Sequence, residues 1–284
     1  MLVALVCCLL FGALMRPWVS STQRALEEES LLRPSPARLG DDALSQQLAF
    51  FALGGLRSLA AQFLSLDATV AWSEGDWRRV EQRYEQMTTL CPDRVSYWLS
   101  GAYEMWKNAA SSTSFEGEAL DDWEQSSLRR RYFLRGERFL KDGISHHPDS
   151  VVLHTRLGDL YADLYRYPRF LKASEAYAKA VELGASSLTR RSQFYSLCRV
   201  YGKEREAWEL GREIFASSED EHVPSLVCLL FALENKLDLP QEQRLSHEQL
   251  FRTKKRALRL LKGFEKNTLR YPTYGVREYL EKHS

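Results

Sequence analysis

The chain has 284 residues, 44% of them hydrophobic, enough to bury a core in one elongated domain or two compact ones. Its 39 basic residues nearly cancel its 38 acidic ones for a net charge of +1, which excludes a molecule-wide positive field of the kind that grips nucleic acid. Fifteen glycines and nine prolines against 12% aromatic residues argue for packed helices and against disorder.

In chain order, residues 1–19 come first. The run from Met1 to Met15 carries no charged side chain and ends at Arg16 and Pro17, with Trp18 just beyond. Fifteen helical residues rise about 22 Å, short of a ~30 Å hydrocarbon layer, so a span needs to run on to Val19 with Arg16 reaching for the headgroups. The alternative is a signal-peptide core, although no basic residue precedes it. Either way the segment is expected to bring the chain to a membrane as an anchor or uncleaved signal. Residues 20–40, punctuated by Pro34 and Pro36, read as a tether.

Residues 41–240 carry a recurring helical pattern. Residues 59–72 are expected to form a helix, Gly75 and Asp76 a turn, and Val80, Tyr84 and Met87 the inner face of a second helix stopped at Pro92. Residues 111–125 then interrupt the pattern with Glu116, Glu118, Asp121, Asp122 and Glu124 and no basic residue, an acidic insertion with a local charge of −5. It reads either as a loop docking a basic partner or covering the groove, or as a solvated loop partly helical near Trp123. Gly136, Leu140, Gly143 and Pro148 resume the spacing. His146 and His147 are expected to neutralise the carbonyls at the end of their helix. From Val151, Leu157, Gly158 and Tyr161 define one helix and Ala173, Tyr177 and Ala180 the next, with three extra residues placed in the turn around Tyr165 to Pro168. His154 stands where a large packing residue belongs. A weaker copy follows, with Tyr195 and Cys198 on its first helix and Ala207, Gly211 and Ile214 on its second, and then a helix over 224–235.

Residues 241–284 are read as basic capping helices. Residues 246–267 are expected to form one long amphipathic helix, because Leu250, Phe251, Leu258, Leu261 and Phe264 recur at helical intervals. From Arg244 to Arg270, nine Lys or Arg oppose Glu248 and Glu265, a local charge of +7, and Lys254, Lys255 and Arg256 mark its densest stretch.

These large, small, aromatic and proline positions resemble the tetratricopeptide repeat, and residues 53–77 resemble the opening helix of bacterial membrane-anchored tetratricopeptide proteins. The resemblance implies an all-α helix-turn-helix solenoid of about four units with a concave groove that takes a partner protein. First helices usually line such a groove, which nominates Ser96, Ser100, Glu104 and Lys107 in one unit and Thr155, Asp159 and Asp163 in the next. It also implies a single-pass protein of the bacterial inner membrane. Arg16 and Arg24 after the span place the body in the cytoplasm on a positive-inside reading, whereas a signal-like segment exports it to the periplasmic side.

No H-E-x-x-H, P-loop, G-x-S-x-G or dinucleotide fingerprint occurs, so no catalytic residue is assigned. The five cysteines, Cys7, Cys8, Cys91, Cys198 and Cys228, lack metal spacing. The expectation is a non-enzymatic scaffold or adaptor with no cofactor, no small-molecule substrate and no nucleic acid. The alternative is an envelope glycan- or lipid-binding protein or enzyme using the acidic insertion and the aromatics Trp98 and Trp106.

Overall fold

The computed structural model describes residues 57–113, 121–266 and 271–283. The expected anchor, tether and first residues of the repeat region lie outside these, as do 114–120 of the acidic insertion. The described residues form an all-α fold without strands. Among the described residues twelve helices, α1 to α12, divide between two compact units, residues 1–148 and 149–284.

In the first unit, α1 (Arg57–Ser73) and α2 (Trp77–Leu90) meet at a turn where Gly75 takes a φ of 73°. That left-handed backbone costs a glycine little. The Asp76 carboxylate then accepts from the Arg79 backbone N–H at 3.0 Å and caps α2. Buried alanines, Ala61, Ala68 and Ala71, form the inner face of α1. Ala61 shares a cluster with Met87, Leu90 and Cys91, and Asp67 on α1 receives both Arg79 and Arg83 of α2.

α3 (Val95–Tyr103) continues through a π-helical segment, Glu104–Ala109, into a last α-turn, Ala110–Ser112. It packs against both its predecessor α2 and its successor α4 (Asp122–His146). Glycine permits the close crossings. A methyl group on Gly136 would stand 2.7 Å from Cβ of Trp106, and one on Gly101 would press on Phe139 and Tyr84. Glu81 of α2, nearly buried, is held by Arg135 of α4 at 2.5 Å and by Arg138 at 3.4 Å. Its carboxyl is pushed up from its ordinary pKa because burial outweighs the two guanidinium groups.

The acidic insertion is shorter than its composition suggested. Ser111 and Ser112 are still helical, and Asp121 and Glu124 already form a capping box on α4, with Asp121 accepting from the Glu124 N–H at 2.7 Å. Asp121, Asp122 and Glu124 therefore sit where negative charge meets the positive end of a helix.

In the second unit, α5 (Val151–Ala162), α6 (Phe170–Glu182), α7 (Ser187–Leu197), α8 (Glu204–Ser217) and α9 (Pro224–Lys236) each pack on the next in sequence. The extra residues around Tyr165 to Pro168 do lie in the turn between α5 and α6, closed by the Arg169 N–H donating to the Tyr161 carbonyl at 2.8 Å. α10 (His247–Phe251), α11 (Lys254–Glu265) and α12 (Val276–His283) share one apolar core with α7, α8 and α9.

The single helix expected over 246–267 is two. Arg252 adopts a φ of 63°, sparsely populated for a residue with a side chain, and the Thr253 hydroxyl caps α11 by accepting from the Arg256 N–H at 3.2 Å. The break frees Phe251 to pack edge-on against Phe231 of α9. Periodicity alone could not show it, because Leu250 and Phe251 keep helical register with Leu258 and Leu261 whether or not the backbone is continuous.

Candidate functional site

Three of the expected groove residues, Ser100, Glu104 and Lys107, follow one another along α3 and its π-helical extension. Ser100 is half-buried and hydrogen-bonds with the phenol of Tyr84 on α2. Glu104 begins the π-helical segment, and its carboxylate accepts from the Asn108 amide at 2.8 Å. A second hydrogen bond reaches it from Trp72 near the end of α1. Burial raises the pKa of the Glu104 carboxyl against the pull of these two donors. The Lys107 ammonium lies 4.4 Å from the ring centroid of Trp106.

Together Trp72, Tyr84, Ser100, Glu104 and Asn108 form a polar seam joining α1, α2 and α3. Trp72 is half-exposed at its edge, and Tyr103, the residue before Glu104, is half-exposed as well. Sequence spacing nominated Ser100 and Glu104 as free positions on a polar face, whereas the structure engages both. Trp72 and Asn108 escaped the sequence reading, although Glu104 and Asn108 stand at the i, i+4 spacing of helical neighbours.

The second unit treats its candidates differently. The Thr155 hydroxyl turns back on its own helix and donates to the Val151 carbonyl at 2.8 Å. Asp159 accepts from the Tyr177 hydroxyl and from Arg156, both at 2.8 Å, so it ties α5 to α6. Burial and the Asp159 charge together push the Tyr177 phenol far above its ordinary pKa, which keeps it a neutral donor. Asp163 is not on a helical face at all. It caps the end of α5, and its carboxylate accepts from the Tyr165 N–H at 3.1 Å.

Other expectations change on inspection. Trp98 and Trp106 are buried and offer no face to a sugar. The Trp98 indole donates to the Pro92 carbonyl at 2.9 Å and its ring stacks on His146 at 5.1 Å between centroids. The His147 imidazole bonds to that same Pro92 carbonyl at 2.7 Å, and it is the His147 backbone N–H that closes its own helix by donating to the Gly143 carbonyl at 2.9 Å. His154 is buried, as a packing residue would be.

Lys254 and Lys255 are exposed and Arg256 half-buried in the first turn of α11. Cations there face the positive end of the helix dipole, an arrangement the continuous helix would have avoided. Burial raises the thiol pKa of Cys228 to about 12 and that of Cys198 further, so both stay protonated.

Among the described residues, no group of three or more His, Cys, Asp or Glu side chains converges on a common point, and no helix is long and apolar enough to cross a membrane. No protein-family model matches the chain, and no curated protein matches it.

Proposed function

We propose that the chain is a non-enzymatic, tetratricopeptide-like scaffold, held at the bacterial inner membrane by residues 1–19, whose first helices present a concave face to an extended or helical segment of a partner protein. The body then lies on the periplasmic side and works without a cofactor. Sequentially packed helices with glycine at their crossings support the repeat reading, since that is how one hairpin after another shares a core.

The observation that carries the binding reading is the π-helical segment at Glu104. π-Segments interrupt α-helices chiefly where a side chain has to be re-aimed, and they concentrate at functional sites. Here the interruption holds a partly buried carboxylate bonded to the half-exposed indole of Trp72, with a second exposed ring, Tyr103, one residue earlier in the chain. Such a seam offers an acceptor for a partner's hydrogen-bond donor and apolar area for the neighbouring side chain.

The test is crosslinking and capture of the full-length membrane-resident protein, with mass spectrometry reading the crosslinked residues. A reproducible protein partner attached around Trp72, Tyr103 and Lys107 is expected in the parent, with at least a tenfold loss in Glu104→Ala. Glu104→Gln keeps the shape and removes the charge. Because the folded state raises the Glu104 pKa, ionisation of this group opposes folding above about pH 4.5, so Glu104→Gln should fold at neutral pH at least as well as the parent. A partner retained equally by the parent and Glu104→Ala would remove the seam from the interface.

A further inference from the structure

α1 carries two apolar faces, and the described residues cover one of them. Ala61, Ala68 and Ala71 face the molecule, while Leu59, Phe63, Leu66 and Val70 recur at intervals of four, three and four residues on the opposite side. These four side chains remain 48% to 65% exposed. The spacing returns each to the same side of a 3.6-residue helix, so they form one continuous stripe.

The next first helix in the unit shows what such a helix meets. α3 is packed by its predecessor α2 on one side and its successor α4 on the other. α1 has its successor, α2, but no predecessor among the described residues. The exposed stripe is the side left over.

We propose that residues 41–53 are that predecessor and seat on the stripe as a helix antiparallel to α1. Their sequence, DDALSQQLAFFAL, places Leu44, Leu48 and Phe51 at the same four-then-three spacing as Leu59, Phe63 and Leu66. Gly54, Gly55 and Leu56 then leave a connection of the length usual between antiparallel helices. Thirteen residues of helix rise about 20 Å, and the stripe from Leu59 to Val70 spans about 17 Å, so the stripe is covered end to end.

Area also favours a tethered occupant over a second molecule. The four side chains expose roughly 400 Å², if each offers on the order of 150–200 Å² when bare. A stable interface between separate proteins buries about 800 Å² on each partner. A segment joined by three residues avoids most of the entropic cost of association. An anionic bilayer lacks support here, since Arg57 is the single basic residue of α1.

The experiment uses the full chain with Cys7 and Cys8 changed to Ser, carrying Leu66→Cys as a reporter for alkylation read by mass spectrometry. Tyr201→Cys, at a site 94% exposed in the second unit, supplies the unprotected rate. The expected result is Leu66→Cys labelling at least tenfold slower than Tyr201→Cys, with the protection lost in Leu48→Asp/Phe51→Asp. A second variant, Leu48→Cys/Phe63→Cys, should close an intramolecular disulfide, which keeps the test decisive if the aspartates disturb folding. Equal rates at the two reporters would overturn the proposal. So would protection that survives the aspartates, that appears only at high protein concentration, as for a second copy, or that appears only with lipid vesicles. None of these readouts involves the Glu104 seam, so this inference and the scaffold reading fail separately.

Discussion

α1 and α9 both carry apolar residues on more than one face, yet they end in different surroundings. In α9, Leu226, Val227, Leu229, Leu230 and Leu233 are all buried, because α8 packs on one side and α10 and α11 on the other. In α1 the buried positions are alanines, and the bulky residues face outward. A helix apolar all round needs cover on more than one side, and the number of neighbours decides which side chains leave water.

The largest effect should come from the covered helix. Leu230→Ala removes a fully buried side chain of α9 and is expected to cost about 2–5 kcal/mol in denaturant titration. A loss under about 1 kcal/mol would mean that α9 is less completely enclosed than its burial indicates.

Next is the approach distance that lets neighbouring helices cover each other. In Gly158→Ala the new methyl would stand 2.5 Å from Cε1 of Tyr177, forcing α5 and α6 apart or turning the ring away from Asp159. A destabilisation of about 1–3 kcal/mol is expected, offset in part by the better helix propensity of alanine. An unchanged melting temperature would show that the Tyr177 ring yields freely.

The third prediction compares the two helices directly. In the Leu48→Asp/Phe51→Asp chain, Leu66→Ala should change stability by less than about 0.5 kcal/mol, as for an exposed site, and by about 1–2 kcal/mol in the otherwise unaltered chain. Equal effects in both backgrounds would leave the stripe of α1 without a cover from within the chain.

The smallest effect concerns the cover of α9 itself. The Tyr279 hydroxyl of α12 lies 2.5 Å from Nε2 of His247 on α10, while Tyr279 and Phe231 of α9 meet edge-on. Burial, then His283 and Lys254, lower the His247 pKa below its ordinary 6.5. The unfolded chain therefore takes up a proton first as pH falls below about 6.5, and the folded state loses stability from that point until its own lowered pKa is passed. His247→Gln, which keeps an acceptor for Tyr279, should flatten the melting temperature between pH 7 and pH 5; an unaltered acid slope would assign it to other groups.

Helix ends were legible wherever local chemistry sets them. Gly75 and Asp76, Pro92, Pro148, Pro224 and the turn around Tyr165 to Pro168 all stand where the sequence places them, because caps, prolines and left-handed turns act within a few residues. The small residues Gly136, Gly158 and Gly211 were legible as contacts for a related reason: each lies in a helical pattern that otherwise avoids glycine, and each faces an aromatic ring or a leucine. The acidic stretch was legible in part: a helix does begin around Trp123, but composition could not show that Asp121 and Glu124 form its capping box.

The candidate seam was half legible. Spacing put Ser100 and Glu104 on one face, but it could not show that Trp72 and Tyr84 reach them from other helices or that the backbone widens at Glu104. The same holds for the break at Arg252, the stacking of Trp98 on His146 and the bond from His147 to the Pro92 carbonyl. The sequence by itself determined the helices, their caps and the small residues at their crossings, since those follow from backbone preference and side-chain size over short range. The tertiary structure alone decided which polar groups find partners and which apolar faces leave water, because both depend on atoms from helices far apart in the chain.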